Sequence, residues 1–401
     1  MNILFGTNLF HPLFGGGEKA IIDWLEDFTK LGHTVTVITT MPEIEGYEKQ
    51  FPFEVIRLTP KTPYDKNLNS IRLQSNSNSE YFNSYSTKPY DNNYYSMQLA
   101  SQKIKNRNFD VYIGYGKWGV YVEDENVMTF ATLIKKQNPN IITVGLTWEY
   151  GAGGLIWGVD KLLSCAPYEL TNNKNLNQNF QDKLILIPKQ NTFSPIEKFN
   201  YTEWENRPYD FIFNNPQIGK GVDTLYHIIK KMKHKKFLLK HGNWGDSKKF
   251  DRFYELENVD IVDRVESMEK DFFRKGRYLL YPSILEGFGL MPLEAAMQGT
   301  IPICSDIGIL RYSSEPFSVF VYSQYLTDTV YNIVSEMDGV KDLNWEGIAE
   351  SWINIIDFLD ENEEFVKEVY NDLENVEDYV NKRYEKTMNE FLKKMTDECE
   401  V

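Results

Sequence analysis

Three features of this sequence predict two doubly wound α/β domains joined in tandem. Apolar runs of strand character alternate with helical patterns through most of the chain, which is the mark of βαβ units and parallel sheets. The alternation lapses into polar, proline-containing sequence between residues 191 and 208, around Pro195 and Pro208, and then restarts. With 401 residues, the chain is long enough for two domains with real cores. The expected organisation is an N-terminal domain over 1–190 with a variable segment at 60–100, a linker over 191–208, a C-terminal domain over 209–344 and a helical segment over 345–401.

Asn2 to Gly6, with Ile3-Leu4-Phe5 at its centre, is the first predicted strand, and Gly17 to Leu31 the first helix. Strands follow at Thr34 to Thr39, Phe53 to Leu58, Val111 to Gly114 and Ile141 to Leu146. Residues 60 to 93, crowded with Asn, Ser and Tyr, show no period and exceed an ordinary connection. Their tyrosines, among them Tyr64, Tyr81, Tyr85 and Tyr90, give such a segment something to bury, so an ordered loop is expected. In the second domain the strands are Phe211 to Phe213, Phe237 to Lys240, Val259 to Val262, Arg277 to Tyr281, Ile301 to Cys304 and Val319 to Tyr322. From Trp345 the chain is helical and acidic to its end.

A formal net charge of −15 argues against a general nucleic-acid binder. Cys165, Cys304 and Cys399 are odd in number and far apart, which suggests neither a disulfide framework nor a cysteine metal site. Met1 leads straight into the first strand, without a signal-peptide pattern, and no stretch is apolar enough to span a bilayer. A cytoplasmic location is therefore expected. His11, His33, His227, His234 and His241 lack ligand spacing with acids or cysteines, and no Asp-x-Asp is present, so no metal is expected. The basic run Lys230 to Lys236 is expected to be a solvated helix end; a contact with an anionic acceptor or a membrane surface stays open as the alternative.

The most informative stretch is Pro282-Ser283-Ile284-Leu285-Glu286-Gly287-Phe288-Gly289-Leu290-Met291-Pro292-Leu293-Glu294. It leaves a strand, passes a glycine-rich turn and enters a helix with Pro292 in its first turn, a position proline favours. Such a helix start presents unpaired N–H groups and the positive end of its dipole to an anion. Glu286 in the turn and Glu294 one helical turn further on suit the hydroxyls of a neutral polyol. Phosphate beside sugar hydroxyls describes a nucleotide-sugar.

This string resembles the donor-binding signature of retaining GT-B glycosyltransferases, in particular family four. Other matches extend over nearly the whole chain: Pro12 to Lys19 is similar to the family's glycine loop, and Leu31 to Thr39 to its Gly-His-x-Val-x-Val strand. Val159 to Ser164, Leu186 to Asn191, Asn344 to Glu350 and Ile218-Gly219-Lys220-Gly221-Val222-Asp223 each resemble a further family segment. The resemblance implies the GT-B fold, with two Rossmann-like domains facing a central cleft, and a retaining, metal-independent hexosyltransferase. Its co-substrate would be a nucleoside-diphosphate sugar, most simply a UDP-sugar, and no further cofactor is implied. Lys220, with the backbone near Gly16 and Gly17 and that of Gly287, Phe288, Gly289 and Leu290, would meet the diphosphate; Glu286 would hold the sugar and Glu294 the ribose. Two departures stand out. Phe213-Asn214-Asn215 replaces the family's upstream Arg, which gives Asn214 a candidate donor-binding role, and no His stands in Thr143 to Gly151, where Glu149 and Trp148 are candidates for positioning the sugar. The acceptor, a hydroxyl on a glycan, lipid carrier or small molecule, would meet the loops at 60–100 and 115–125. Two alternatives stay open: a phage-type transferase acting on a hydroxymethylated DNA base, and a sugar-nucleotide-binding protein without catalysis.

Overall fold

A computed structural model describes residues 1–7, 10–12, 16–58, 97, 99–115, 118, 130–147, 159–167, 183–189, 193–215, 218–241, 250–263, 265–284, 286–325 and 343–399. The variable segment from residue 60 to 93 and Glu149 with Trp148 lie outside them. The chain divides into two units, one of Met1–Lys189 with Tyr384–Val401 and one of Gln190–Arg383. The helices used below are α1 (Gly16–Lys30), α2 (Phe130–Gln137), α3 (Tyr201–Glu205), α4 (Val222–Lys231), α5 (Leu290–Met297), α6 (Gly308–Ser314), α7 (Trp345–Glu361), α8 (Glu363–Asp372) and α9 (Val376–Cys399).

In the first unit, β1 (Asn2–Thr7), β2 (Thr34–Thr39), β3 (Glu54–Arg57), β4 (Val111–Tyr115), β5 (Ile142–Thr147), β6 (Lys161–Ser164) and β7 (Lys183–Ile185) form a sheet in the order β3-β2-β1-β4-β5-β6-β7. Every pairing is parallel. The central strands are apolar on both faces, as a sheet covered on both sides requires: Ile3, Leu4, Phe5, Val35, Val37, Ile113 and Val144 are all buried. Helix α1 buries Ile21, Trp24, Leu25 and Phe28, and α2 packs Phe130 and Ile134 into a cluster with Leu4, Ile38 and Tyr112. Each such side chain contributes about 1.5–3 kcal/mol by leaving water.

Two strands here have no counterpart in the sequence prediction. β6 and β7 are three or four residues long and each opens with a lysine, which hides them from a reading based on apolar runs. The charge of Lys161 is compensated from far away in sequence, by Glu398 of α9 at 2.5 Å. The end of α9 is thus part of this unit. Its Phe391 stacks on Phe28 of α1 with ring centroids 5.5 Å apart, and Tyr384 donates to Asp27 at 2.9 Å. Asp27 also receives Lys189 at 2.6 Å and Lys30 at 2.9 Å. Burial alone would raise the Asp27 carboxyl pKa, but these hydrogen bonds outweigh it and hold the group below its ordinary range.

The second unit has β8 (Tyr209–Asn214), β9 (Phe237–Lys240), β10 (Val259–Val262), β11 (Gly276–Tyr281), β12 (Ile301–Ser305) and β13 (Val319–Val321), in the order β10-β9-β8-β11-β12-β13 and again parallel. Part of the stretch expected to be linker is helix α3, whose start is capped by the Asn200 side chain accepting from Thr202 and Glu203. Trp204 on α3 is fully buried, donates to the Arg277 carbonyl at 2.7 Å and packs edge-on to Tyr278. That apolar anchor ties the polar stretch to the core. Three residues on, the Arg207 guanidinium donates to the carbonyls of Gly276 at 2.8 Å and Gln298 at 2.9 Å. Burial lowers its pKa to about 10.

Helix α7 packs on α4 and pairs with two of the five lysines of the basic run, while Lys230, Lys233 and Lys236 stay exposed. Lys231 pairs with Glu346 at 3.0 Å and also with Glu350, and Lys235 pairs with Asp360 at 2.6 Å. These lysines are neutralised within their own unit.

In both sheets the chain steps outward from a central strand and then crosses to its other side. The reversals fall between β1 and β4 and between β8 and β11. Outside the carboxyl ends of strands at such a reversal, open α/β sheets have the crevice in which they hold ligands.

Candidate functional site

The reversal between β8 and β11 is where the sequence-predicted residues gather. Asn214 is the last residue of β8, and Lys220 ends a short 3-10 turn just after it. Ser283, Glu286 and Gly287 to Gly289 lie between the end of β11 and the start of α5. Two close backbone approaches join these connections. Gly221 follows Lys220 with φ of 74°, and a Cβ there would lie 2.0 Å from the Pro282 carbonyl oxygen. Only a residue without a side chain can take this position. The Ile284 amide then donates to the Gly219 carbonyl at 3.0 Å.

This stitching brings Lys220 to Glu286. The Lys220 ammonium lies 2.5 Å from Glu286 Oε1 and 3.5 Å from the Tyr281 hydroxyl, with the Tyr281 ring centroid 5.6 Å away. Ser283 Oγ, fully buried, donates to the same Oε1 of Glu286. The glutamate is itself only 5% exposed, so its charge stands in a nearly dry setting, held by one cation and one hydroxyl.

Helix α5 starts beside this pair. Gly289 precedes it with φ of 80° and has no side chain with which to cap it, and a Cβ on Gly289 would meet Leu310 of α6 at 2.4 Å. The first-turn amides therefore have no intrahelical acceptor, which is the arrangement that receives an anion. Of the run Leu293 to Met297 only Glu294 is not buried, so it stands on the helix side that packing leaves open. Phe288 is buried edge-on to Tyr312.

Asn214 is half-buried at the same edge. Its Nδ2 reaches Met291 Sδ of α5 at 3.7 Å, and its buried Oδ1 has no hydrogen-bond partner among the described residues. In register with it on β9 is Lys240, whose ammonium pKa is lowered by burial. His241 follows, packed on Phe250 at 4.5 Å. Gly16 and Gly17 open α1 at the other reversal, in the first unit, and Glu149 is not among the described residues. The lysine, the two glutamates, Asn214 and the turn glycines thus share one sheet edge of the second unit. Ser283, Tyr281 and Lys240 join them without having been predicted. No local signal marked Ser283, because in a Ser-x-x-Glu capping box each side chain bonds the other residue's backbone amide, whereas here the hydroxyl bonds the carboxylate itself.

Residues 197–328 match the family Glycosyl transferases group 1. The chain has the GT-B fold, and residues 197–328 form a domain similar to that family. That domain holds Asn214, Lys220, Glu286, Glu294 and the reversal between β8 and β11. Solved structures share the fold at low identity. A glycosyltransferase from Rickettsia africae is 15% identical with a TM-score of 0.52, covering 92% of this chain and 98% of its own. The catalytic domain of starch synthase IV from Arabidopsis thaliana, bound to ADP and acarbose, is 12% identical with a TM-score of 0.56, covering 93% and 99%. The pneumococcal O-GlcNAc transferase GtfA, in complex with UDP and GlcNAc, is 11% identical with a TM-score of 0.56, covering 98% and 99%. No curated protein matches the sequence. Among the described residues no helix is long and apolar enough to cross a membrane, and no cluster of His, Cys, Asp and Glu could hold a metal ion.

Proposed function

We propose that this GT-B protein is a retaining hexosyltransferase that uses a nucleoside-diphosphate sugar, most simply a UDP-sugar, and transfers the hexose to a hydroxyl acceptor. The observation that carries the reading is the Lys220–Glu286 pair, 2.5 Å apart beside the uncapped start of α5. An anion-binding helix start and an ammonium suit a diphosphate; two carboxylates on the same edge suit the hydroxyls of the sugar and the ribose. Neither group alone makes that case.

The chemistry follows from the charge that must be stabilised. The bond from the anomeric carbon to the phosphate oxygen breaks, the acceptor oxygen attacks from the same face, and the acceptor proton passes to the departing phosphate. Negative charge grows on the leaving group, where Lys220 and the first-turn amides of α5 oppose it. Such preorganised donors are often the largest single contribution to catalysis, with one donor worth roughly 10²–10³ in kcat. Glu286 stabilises the developing positive charge on the sugar and holds its hydroxyls, and Glu294 holds the ribose. No side-chain base and no bound metal ion enters this scheme. The sequence reading of Asn214 as a donor-site residue is retained, supported by its buried oxygen, which has no partner among the described residues.

The test is a thermal-shift and turnover panel of UDP, GDP, ADP and their sugars. A ligand at a hundred times its Kd stabilises the folded state by about 2.7 kcal/mol. Melting-point rises with UDP and its sugars, together with release of free UDP from at least one of them, are the expected result. No shift and no release with any member of the panel would refute the reading.

A further inference from the structure

We propose that Ser283 is the positioning residue for Glu286: it pins one carboxylate oxygen and leaves the other for the sugar hydroxyls. This rests on the function proposed above and names a residue that neither the family match nor the sequence reading assigns. Two donors converge on Glu286 Oε1, the Ser283 hydroxyl and the Lys220 ammonium at 2.5 Å. Oε2 takes neither bond. Rotation about the last torsion of a glutamate is broad and nearly two-fold, so an unpinned carboxylate would sample many orientations.

Lys220 cannot hold that orientation alone. Its ammonium is paired with Glu286, four residues before the start of α5, and a bound diphosphate would compete with Glu286 for it. Once the phosphate draws Lys220 away, Ser283 is the remaining side-chain donor on Oε1 among the described residues. Ser283 is well suited to stay. It is fully buried, and the amide of Ile284 beside it is tied to Gly219 at 3.0 Å. A short, neutral hydroxyl on a fixed backbone keeps the carboxylate aimed without neutralising it, so the charge remains for the sugar.

The test compares full-length wild type, Ser283→Ala, Ser283→Thr and Glu286→Gln. Release of UDP is measured with UDP-glucose and with UDP-N-acetylglucosamine, and Kd is measured for UDP alone. A hydrogen bond to a charged group is lost in Ser283→Ala, so its kcat should fall roughly ten- to a hundredfold. UDP, which has no sugar for Glu286 to hold, should bind Ser283→Ala within about twofold of wild type, and Ser283→Thr, which keeps the hydroxyl, should recover most of the turnover. Glu286→Gln should show the same split between turnover and UDP binding. A merely structural serine would instead weaken UDP binding and turnover together. Ser283→Ala losing UDP binding as well, or Ser283→Thr failing to recover turnover, overturns the positioning role. Turnover in Ser283→Ala within about twofold of wild type overturns this inference alone. A wild type that releases no nucleotide from any member of the UDP, GDP and ADP sugar panel refutes the underlying function.

Discussion

Replacing Gly221 by alanine should break the turn that carries Lys220, whereas the same change at Gly219 should be tolerated. The two glycines flank the lysine, and the structure separates them sharply. At Gly221 the backbone is left-handed, with φ of 74°, and an added Cβ would lie 2.0 Å from the Pro282 oxygen, 2.8 Å from its carbonyl carbon and 2.9 Å from its Cβ. The left-handed conformation costs an alanine about 1–2 kcal/mol. Relieving contacts that ordinarily need about 3.5 Å or more means moving one backbone against another, which adds about 1–3 kcal/mol. The sum is about 2–5 kcal/mol. In a unit of this size each kcal/mol lowers the melting point by about 2–4 °C, so Gly221→Ala should melt about 4–20 °C below wild type. A Cβ on Gly219 meets nothing within 4 Å, so Gly219→Ala should change stability by less than about 1 kcal/mol. Scanning calorimetry of the three proteins gives the comparison. If Gly221→Ala melts with wild type, or if Gly219→Ala falls as far, the close approach of the two loops is wrong.

Three other predictions concern groups away from that turn. Burial, with Arg57 and Lys49 nearby, lowers the His11 pKa from 6.5 to about 4, so the unfolded chain binds more protons than the folded one in that window. Stability should therefore fall as pH drops from 6.5 towards 4, and His11→Gln should flatten that slope; parallel melting curves for variant and wild type would contradict it. Asp27→Asn weakens the hydrogen bonds from Lys189, Lys30 and Tyr384 and should lower the denaturation midpoint by an amount equivalent to about 1–3 kcal/mol, with an unchanged midpoint as the failing result. Burial pushes the Cys304 thiol up to about 12, and Cys165 is buried too, so a thiol reagent should label the exposed Cys399 quickly and the other two only on unfolding. Rapid labelling of more than one thiol in the native protein would overturn this.

Strands such as Thr34–Thr39 and Phe237–Lys240 were legible because strands buried on both faces consist of apolar runs that local sequence displays. β6 and β7 were not, because Lys161 is made tolerable by Glu398 and nothing near residue 161 records that partner. Helix α3 was missed for the opposite reason: one tryptophan in a polar stretch supplies its anchor, and the buried face belongs to Tyr278 and Tyr370. At the candidate site the glycine turn and both glutamates stand in one continuous string, so their grouping could be read directly. That Lys220 meets Glu286 could not, because the meeting depends on β8 and β11 lying side by side across the sheet reversal. The fate of the basic run was equally hidden, since the acids that neutralise Lys231 and Lys235 come from α7, more than a hundred residues further on.

Calorimetric titration of UDP into wild type and Lys220→Met tests the central claim most directly, because it asks whether a diphosphate meets this ammonium. Losing one charge-assisted contact should weaken UDP binding roughly ten- to a hundredfold while the variant stays folded. Equal affinity in the two proteins would contradict the account.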